Sequence, residues 1–425
     1  MLQSTLLLRI ALVITLVAGC SPRLSAQDDP PNTERIVDGP PKLYAFKRAI
    51  HPLTWLEVVT EPFFRSADGG FLSKLAAKRP RRRGEKTSGL KFGLNTFGAG
   101  SGYGPELTLF NKDVLGRGID VEVPLLYTYS GYQRYAFTAK VPLDSETSEH
   151  RLSFDVGGLY SSRAADNFFG VGSDSRLEQQ SDVRTVTRQL STGLSARITN
   201  AWTSGFHVAY RNVGVTKTRS GISAQSLFSE SDAPGLSTGA VLGSAELSFD
   251  HDTRDRDHMR GDGGLEHFEV SLNEGIRKGD FAYWKYHFDF VRFFPLSSDK
   301  RTVIAFRGMA ETNQEKGGSH VPFFDMPMIG GWYSVRGLDD FRFLDKSAIS
   351  FGAEYRFRVW THMDWGFFVD EGQVAPQPGD FGWSRFHTGY GVRSVFLPKP
   401  NYPVSIDLGH SREKWILSFN LNRSF

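Results

Sequence analysis

Ile349-Ser350-Phe351-Gly352-Ala353-Glu354-Tyr355-Arg356-Phe357-Arg358-Val359 alternates without a break. Ile349, Phe351, Ala353, Tyr355, Phe357 and Val359 occupy one set of alternate positions. Ser350, Gly352, Glu354, Arg356 and Arg358 occupy the other. Successive side chains of a strand point to opposite faces, so this segment has one apolar face and one carrying three charges. Other segments divide in the same way. Ala282, Trp284, Tyr286, Phe288 and Phe290 oppose Tyr283, Lys285, His287 and Asp289. Val404, Ile406 and Leu408 oppose Ser405, Asp407 and Gly409, and Trp415, Leu417, Phe419 and Leu421 oppose Ile416, Ser418, Asn420 and Asn422.

A soluble sandwich and a membrane barrel both use this pattern. In a sandwich the apolar face is a packed core dominated by Val, Ile and Leu. Here those faces are heavy in Phe, Tyr and Trp, with 34 Phe in 425 residues, and helix signals are nearly absent. Mean hydropathy is −0.32, and no stretch beyond the first twenty residues is apolar and long enough for a membrane helix. That absence leaves a barrel open, because an every-other-residue signal averages out of a hydropathy window. The pattern predicts an all-β fold: about 16 antiparallel strands forming a transmembrane β-barrel over 89–425. Connections at 162–181, 217–237 and 312–347 are long and follow odd-numbered strands, so a periplasmic N-terminus makes all three extracellular. The net charge of +3 is too weak a bias for a nucleic-acid partner, and the single Cys excludes an intrachain disulfide.

The N-terminus reads as an export signal, with Arg9 before the apolar run Ile10 to Ala18. Val17-Ala18-Gly19-Cys20 resembles a lipoprotein cleavage box, and Leu24-Ser25-Ala26 is an ordinary small-residue site. The domain reading takes 1–26 as the signal peptide and 27–88 as a periplasmic segment with a short helix starting near Pro52. The basic run Lys78-Arg79-Pro80-Arg81-Arg82-Arg83 reads as a solvated linker or as a contact with anionic head groups.

Gly330-Gly331-Trp332-Tyr333-Ser334-Val335-Arg336-Gly337-Leu338 is too irregular and Gly-rich to continue a strand. Glu354 is on the polar face of its segment. Trp365, Phe367 and Val369 take the lipid face of the next, which turns Asp370 inward as well. A carboxylate inside a crowded barrel needs a partner, and an arginine fork supplies two hydrogen bonds. The loop 312–347 is long enough to fold inward with Arg336 as its anchor.

Val335-Arg336-Gly337 preceded by Gly330-Gly331 resembles the sixth-loop motif of the BamA superfamily, which includes BamA, TamA, FhaC and the bacterial surface antigen family. Asp252-Thr253-Arg254-Asp255, Phe351-Gly352-Ala353-Glu354-Tyr355-Arg356, Phe368-Val369-Asp370-Glu371-Gly372 and Gly389-Tyr390-Gly391-Val392-Arg393 resemble further family segments in the same order. The match is good over 248–425; before that it is one of strand rhythm alone. The resemblance implies a sixteen-stranded barrel whose sixth extracellular loop folds inward, with Arg336 against Asp370 and Glu354 nearby. It implies an integral protein of the bacterial outer membrane that assists insertion or translocation of proteins, or handles lipid, through a weak first-to-last strand seam. Phe419, Leu421 and Phe425 fit the C-terminal insertion signal, whereas Arg423 and Leu338 depart from the family pattern. Residues 27–88 show no complete POTRA domain, the module by which typical members receive clients.

The expected partners are outer-membrane lipids and outer-membrane or secreted protein clients of a monomeric barrel. A passive pore on the same scaffold is the alternative. The chain reads as a non-enzyme without cofactor or metal. Gly235-Leu236-Ser237-Thr238-Gly239 fits a nucleophile-elbow pattern, the one hint of a lipase, but lies in a polar loop without strand-turn-helix context. His251, Asp252, Asp255, Asp257 and His258 read as a solvated turn in preference to a metal site.

Overall fold

The computed structural model describes residues 87–421, apart from 98–99, 145–150, 220, 256–260, 278–279, 361–362 and 397–403. The signal peptide with Cys20, most of the 27–88 segment with its basic run, Asp257, His258, Arg423 and Phe425 lie outside the described residues.

The first strands are β1 (Ser88–Thr96), β2 (Tyr103–Val114), β3 (Ile119–Tyr127), β4 (Gln133–Pro142) and β5 (Arg151–Phe168). β6 (Ser181–Arg197), β7 (Trp202–Thr216), β8 (Ala240–Asp252), β9 (Gly263–Arg277), β10 (Ala282–Pro295) and β11 (Thr302–Glu315) follow. Two short strands, β12 (Met328–Ile329) and β13 (Phe343–Leu344), pair with each other inside the next loop. The wall is completed by β14 (Ser347–Trp360), β15 (Met363–Ala375), β16 (His387–Phe396), β17 (Val404–Ser411) and β18 (Trp415–Leu421). β1 to β11 and β14 to β18 form one antiparallel sheet of 16 strands, each paired with its neighbour in sequence and β11 paired with β14.

Burial shows which solvent each face meets. Leu90, Phe92 and Leu94 of β1, Phe367 and Val369 of β15, and Trp415, Leu417 and Phe419 of β18 are exposed. Glu354, Arg356, Asp370, Arg393 and Asp407 are buried. Exposed aromatics over buried charges invert the arrangement of a soluble sandwich, and a barrel with lipid outside and a polar lumen accounts for both.

The ladder registers carry this division round the wall. Phe351 pairs with Gly308 and Glu371, Asp370 pairs with Gly352 and Gly389, and Glu354 pairs with Ala305 and Phe368. A one-residue slip would turn Glu354, Asp370 and Asp407 to the lipid, so the alternation itself fixes the register.

Two strands run into connections expected from the sequence: β5 continues to Phe168, past the expected start of a loop at 162, and β11 continues to Glu315, past 312. β5 and β6 extend beyond the apolar band because their tops are covered. Phe168 and Val183 pack with Leu236, Val321, Phe323 and Leu344 from two long loops, and the Phe168 ring meets those of Phe228 and Phe323 at 5.0 and 5.4 Å. The three long loops therefore share a small core over one end of the barrel.

The end strands β1 and β18 come together without a ladder among the described residues. The hydroxyl of Tyr103, on β2, donates to the carbonyl of Phe419 across this junction.

The lumen-lipid assignment predicts unequal costs for the same substitution. Leu247→Arg, on the lipid face of β8, should lower stability by about 2–4 kcal/mol in a urea titration of vesicle-embedded barrel, and Ser244→Arg, on the lumenal face, by less than about 1 kcal/mol.

Candidate functional site

The sixth extracellular loop, 316–346, enters the barrel as a folded unit. Its β12–β13 hairpin is closed by Val335 and Leu338, which pack with Ile329, Phe343, Ala348 and Val374. Leu338 fills this cluster and is fully covered. Gly337 has φ +94°, and a Cβ there would lie 2.7 Å from the His410 carbonyl carbon, so only glycine fits. The facing wall is equally bare. A Cβ on Gly389 would come within 1.9 Å of the Arg336 carbonyl oxygen, and one on Gly409 within 2.7 Å of the Gly337 nitrogen. Glycines on β16 and β17 thus make the floor on which Arg336-Gly337 lies.

On this floor Arg336 meets both carboxylates. Its Nε and Nη2 donate to Asp370 Oδ2 and Oδ1 at 2.7 and 3.0 Å, its backbone N–H donates to Oδ2 at 3.1 Å, and Nη1 donates to Glu354 Oε2 at 2.6 Å. Its guanidinium carbon sits 3.6 Å from the centre of the Phe368 ring. The two-pronged contact with Asp370 uses the planar geometry of arginine, which a lysine ammonium cannot reproduce.

Further charges complete the cluster. Arg307 of β11 reaches Asp370 at 3.1 Å and donates to the carbonyls of Trp332, Tyr333 and Ser334 at 2.8, 3.2 and 2.9 Å. Arg356 Nε donates to Glu354 Oε1 at 2.6 Å. Arg393 lies 3.5 Å from Glu354 and, poorly aligned for a hydrogen bond, 3.1 Å from Asp407, which also accepts from Asn420 at 3.1 Å. Four guanidiniums thus face three carboxylates from five strands and one loop. Removing one partner from a buried pair costs about 3–5 kcal/mol, because the other charge is left stranded.

A family model, the Omp85 superfamily domain, matches residues 113–411. The chain belongs to the Omp85 superfamily. Omp85 proteins form a family of outer-membrane insertion and translocation barrels, and this chain is an integral β-barrel of the bacterial outer membrane. Its structure is similar to that of BamA from Haemophilus ducreyi lacking POTRA domains 1-3, with a TM-score of 0.58 at 16% identity, over 80% of this chain and 70% of that one. CdiB from Acinetobacter baumannii (TM-score 0.47, 11% identity, 79% of this chain, 65% of that one) and CdiB from Escherichia coli (0.49, 12%, 80% and 62%) are also similar. The chain spans less than two thirds of the length of either CdiB. A search of curated proteins gave no match.

Two further anchors hold the Omp85 loop, and sequence reading named neither. Nearer the extracellular end of the lumen than Asp370, Asp325 takes a two-pronged contact from Arg211 and a hydrogen bond from Tyr283, while its carbonyl accepts from Asn313 at 2.7 Å. At the extracellular end, Arg342 Nε donates to both oxygens of Glu413, at 2.8 and 3.0 Å, and its other nitrogens hold Ser175. Beside it, Lys414 pairs with Asp339 at 2.6 Å and Ser411 Oγ donates to the Gly337 carbonyl at 2.7 Å. The loop is thereby tied to the last hairpin, β17–β18. In the insertion-signal segment, Phe419 lies exposed on the outer face of β18, the strand that ends at Leu421.

The remaining motifs resolve into local structure. Glu230 accepts from the Gly235 and Ser237 N–H groups at 2.6 Å each and from Thr238 Oγ1 at 2.9 Å, so the Ser237 stretch is a loop wrapped round a carboxylate. His251 binds Glu266 at 2.8 Å, Asp252 pairs with Arg254 and Asp255 with Lys300.

Burial raises the Glu230 carboxyl pKa, but the surrounding donors outweigh it and hold the group below the ordinary glutamate value. A lowered folded-state pKa stabilises the loop fully above the ordinary glutamate range, and that contribution is lost as pH falls through the folded value. The amides of Gly235 and Ser237 should lose hydrogen-exchange protection over that acidic range in the parent protein, and Glu230→Gln should show no such step.

Arg336→Ala should increase protease cutting within 316–346 of the folded barrel by at least tenfold, as the loss of about 3–5 kcal/mol of local pairing requires. Arg336→Lys should fall between the two because it keeps charge and loses the fork. Unchanged cutting in Arg336→Ala would count against a holding role for this arginine.

Proposed function

We propose that this barrel assists the insertion of proteins into the outer membrane or their passage across it, with Val335-Arg336-Gly337, Asp370 and Glu354 holding the sixth loop inside the lumen. The observation that carries this reading is the uneven wall. Neighbouring strands are joined by ladders all the way from β1 to β18, whereas β1 and β18 meet without one among the described residues. An unladdered strand edge offers main-chain donors and acceptors to another strand, the mode by which extended segments add to a sheet. Phe92 on β1 and Leu417 on β18 flank that junction on the lipid side, where a client strand would meet it. The sixth loop is fixed to the β17–β18 hairpin through Gly337, Asp339 and Arg342, so a shift of the loop would move one side of the seam.

A passive pore is the second reading. A polar cavity of about 300 Å³ favours it, lying between the lumenal faces of β6–β10 and Asp325. Photo-crosslinking residues placed at Phe92 and Leu417 separate the two. Insertion or passage predicts adducts with newly exported outer-membrane proteins at both positions and none at the far-wall position Leu247. Absence of adducts together with a steady ion-selective current in planar bilayers would move the assignment to a pore.

A further inference from the structure

The outer wall carries a charge that the lumenal cluster does not use. Cross-strand pairing places Tyr135, Tyr160, Arg188 and Asn212 in one row across β4 to β7. The row toward the long loops contains Gln133, Ser162, Val186 and Gly214, and the row on the other side contains Phe137, Gly158, Leu190 and Tyr210. Leu190, two residues from Arg188 on the same strand face, is 61% exposed, which puts this face toward lipid. Arg188 therefore sits where the apolar band gives way to polar residues near the extracellular surface.

Arg188 is exposed and has no acidic partner among the described residues. Its guanidinium lies 6.0 Å from the centre of the Tyr160 ring, which stacks on Tyr135 at 5.8 Å and 11°. Beside this group the wall is notched. Gly158 contributes no side chain, and the Phe137 ring leans to within 2.3 Å of where a Cβ would be. An apolar groove of about 480 Å³ opens here, between Val123 and Leu125 on one side and Leu190 and Tyr210 on the other.

A cation at the head of an apolar groove, flanked by tyrosine hydroxyls at the membrane interface, complements an amphiphile with an anionic head and a hydrocarbon tail. We propose that the groove binds a phosphate-bearing anionic lipid of the outer leaflet, its phosphate on Arg188 and an acyl chain laid past Gly158. The guanidinium supplies paired N–H donors to phosphate oxygens, and the tyrosine hydroxyls donate from the same row. Charge complementarity selects this occupant over a second copy of the chain, because the residues around Arg188 on this face offer no carboxylate.

Native mass spectrometry of the full-length protein, extracted into mild detergent and titrated with phosphatidylglycerol or phosphatidylcholine, tests this. The parent should retain one phosphatidylglycerol more tightly than phosphatidylcholine. Arg188→Gln should weaken phosphatidylglycerol retention about fivefold, the factor expected for one basic side chain at an anionic surface. Arg176→Gln, which removes a loop charge, should match the parent, and Arg188→Lys should fall in between. Val123→Trp, which fills the groove and keeps the arginine, should also weaken retention. Equal retention by the parent and Arg188→Gln would overturn the proposal, as would no preference over phosphatidylcholine or a dimer mass in place of bound lipid.

Discussion

Burying a charge inside a membrane barrel is tolerable only if a partner comes with it, and the structure around Arg336 follows from that constraint. Asp370 and Glu354 face inward because the alternation of β14 and β15 leaves them no other direction. Their strand neighbours supply only Arg356, which pairs with Glu354; Gly352 lies opposite Asp370, and Phe368 opposite Glu354. The missing cations are brought by Arg307 and Arg393 from other strands and by Arg336 from a loop. Loop entry is thus the condition for giving Asp370 a two-pronged partner, since the wall's own three arginines already match its three carboxylates in number. The same condition requires close backbone approach, and β16 and β17 meet it with glycines where the loop lies.

Cluster and loop core depend on each other. The guanidinium of Arg336 reaches its carboxylates with the adjoining Val335 seated among Ile329, Phe343 and Val374. Arg307 holds three successive loop carbonyls that an entering strand end would otherwise leave unpaired. Apolar seating, main-chain satisfaction and ion pairing thereby converge on one short turn. None of the three would order a loop of this length alone, given the backbone entropy of each residue fixed.

Much of this was legible in the sequence, and what was not has physical causes. Period-two alternation is a local property, so 349–359 gave away its strand, its faces and the inward direction of Glu354 without reference to any other segment. The pairing of Arg336 with Asp370 was legible because the motif series supplied the partner. Arg307 and Arg393 were not, although each occupies an inward position on its strand. An inward arginine is common in a polar lumen, and only the three-dimensional stacking of five strands shows which of them share one carboxylate. Arg211 and Asp325 are 114 residues apart, and Asp325 lies in an irregular turn whose direction no periodicity encodes. The extension of β5 to Phe168 escaped for a related reason. Its last residues are covered by loops from later in the chain, so their pattern answers to a core that strand alternation alone does not describe.

The seam is the place where these constraints are relaxed. Elsewhere among the described residues each wall strand is laddered to its neighbours, as a hydrocarbon surrounding demands. At β1 and β18 the junction has no ladder among the described residues, and the exposed apolar side chains of β1 lie beside it. Its extracellular flank is stiffened instead from within, since the hairpin that carries β18 is held by Gly337, Asp339 and Arg342 of the loop. A perturbation at Arg336 therefore has a route to the seam through packed and ion-paired groups alone, and the loop is the element both ends of that route share.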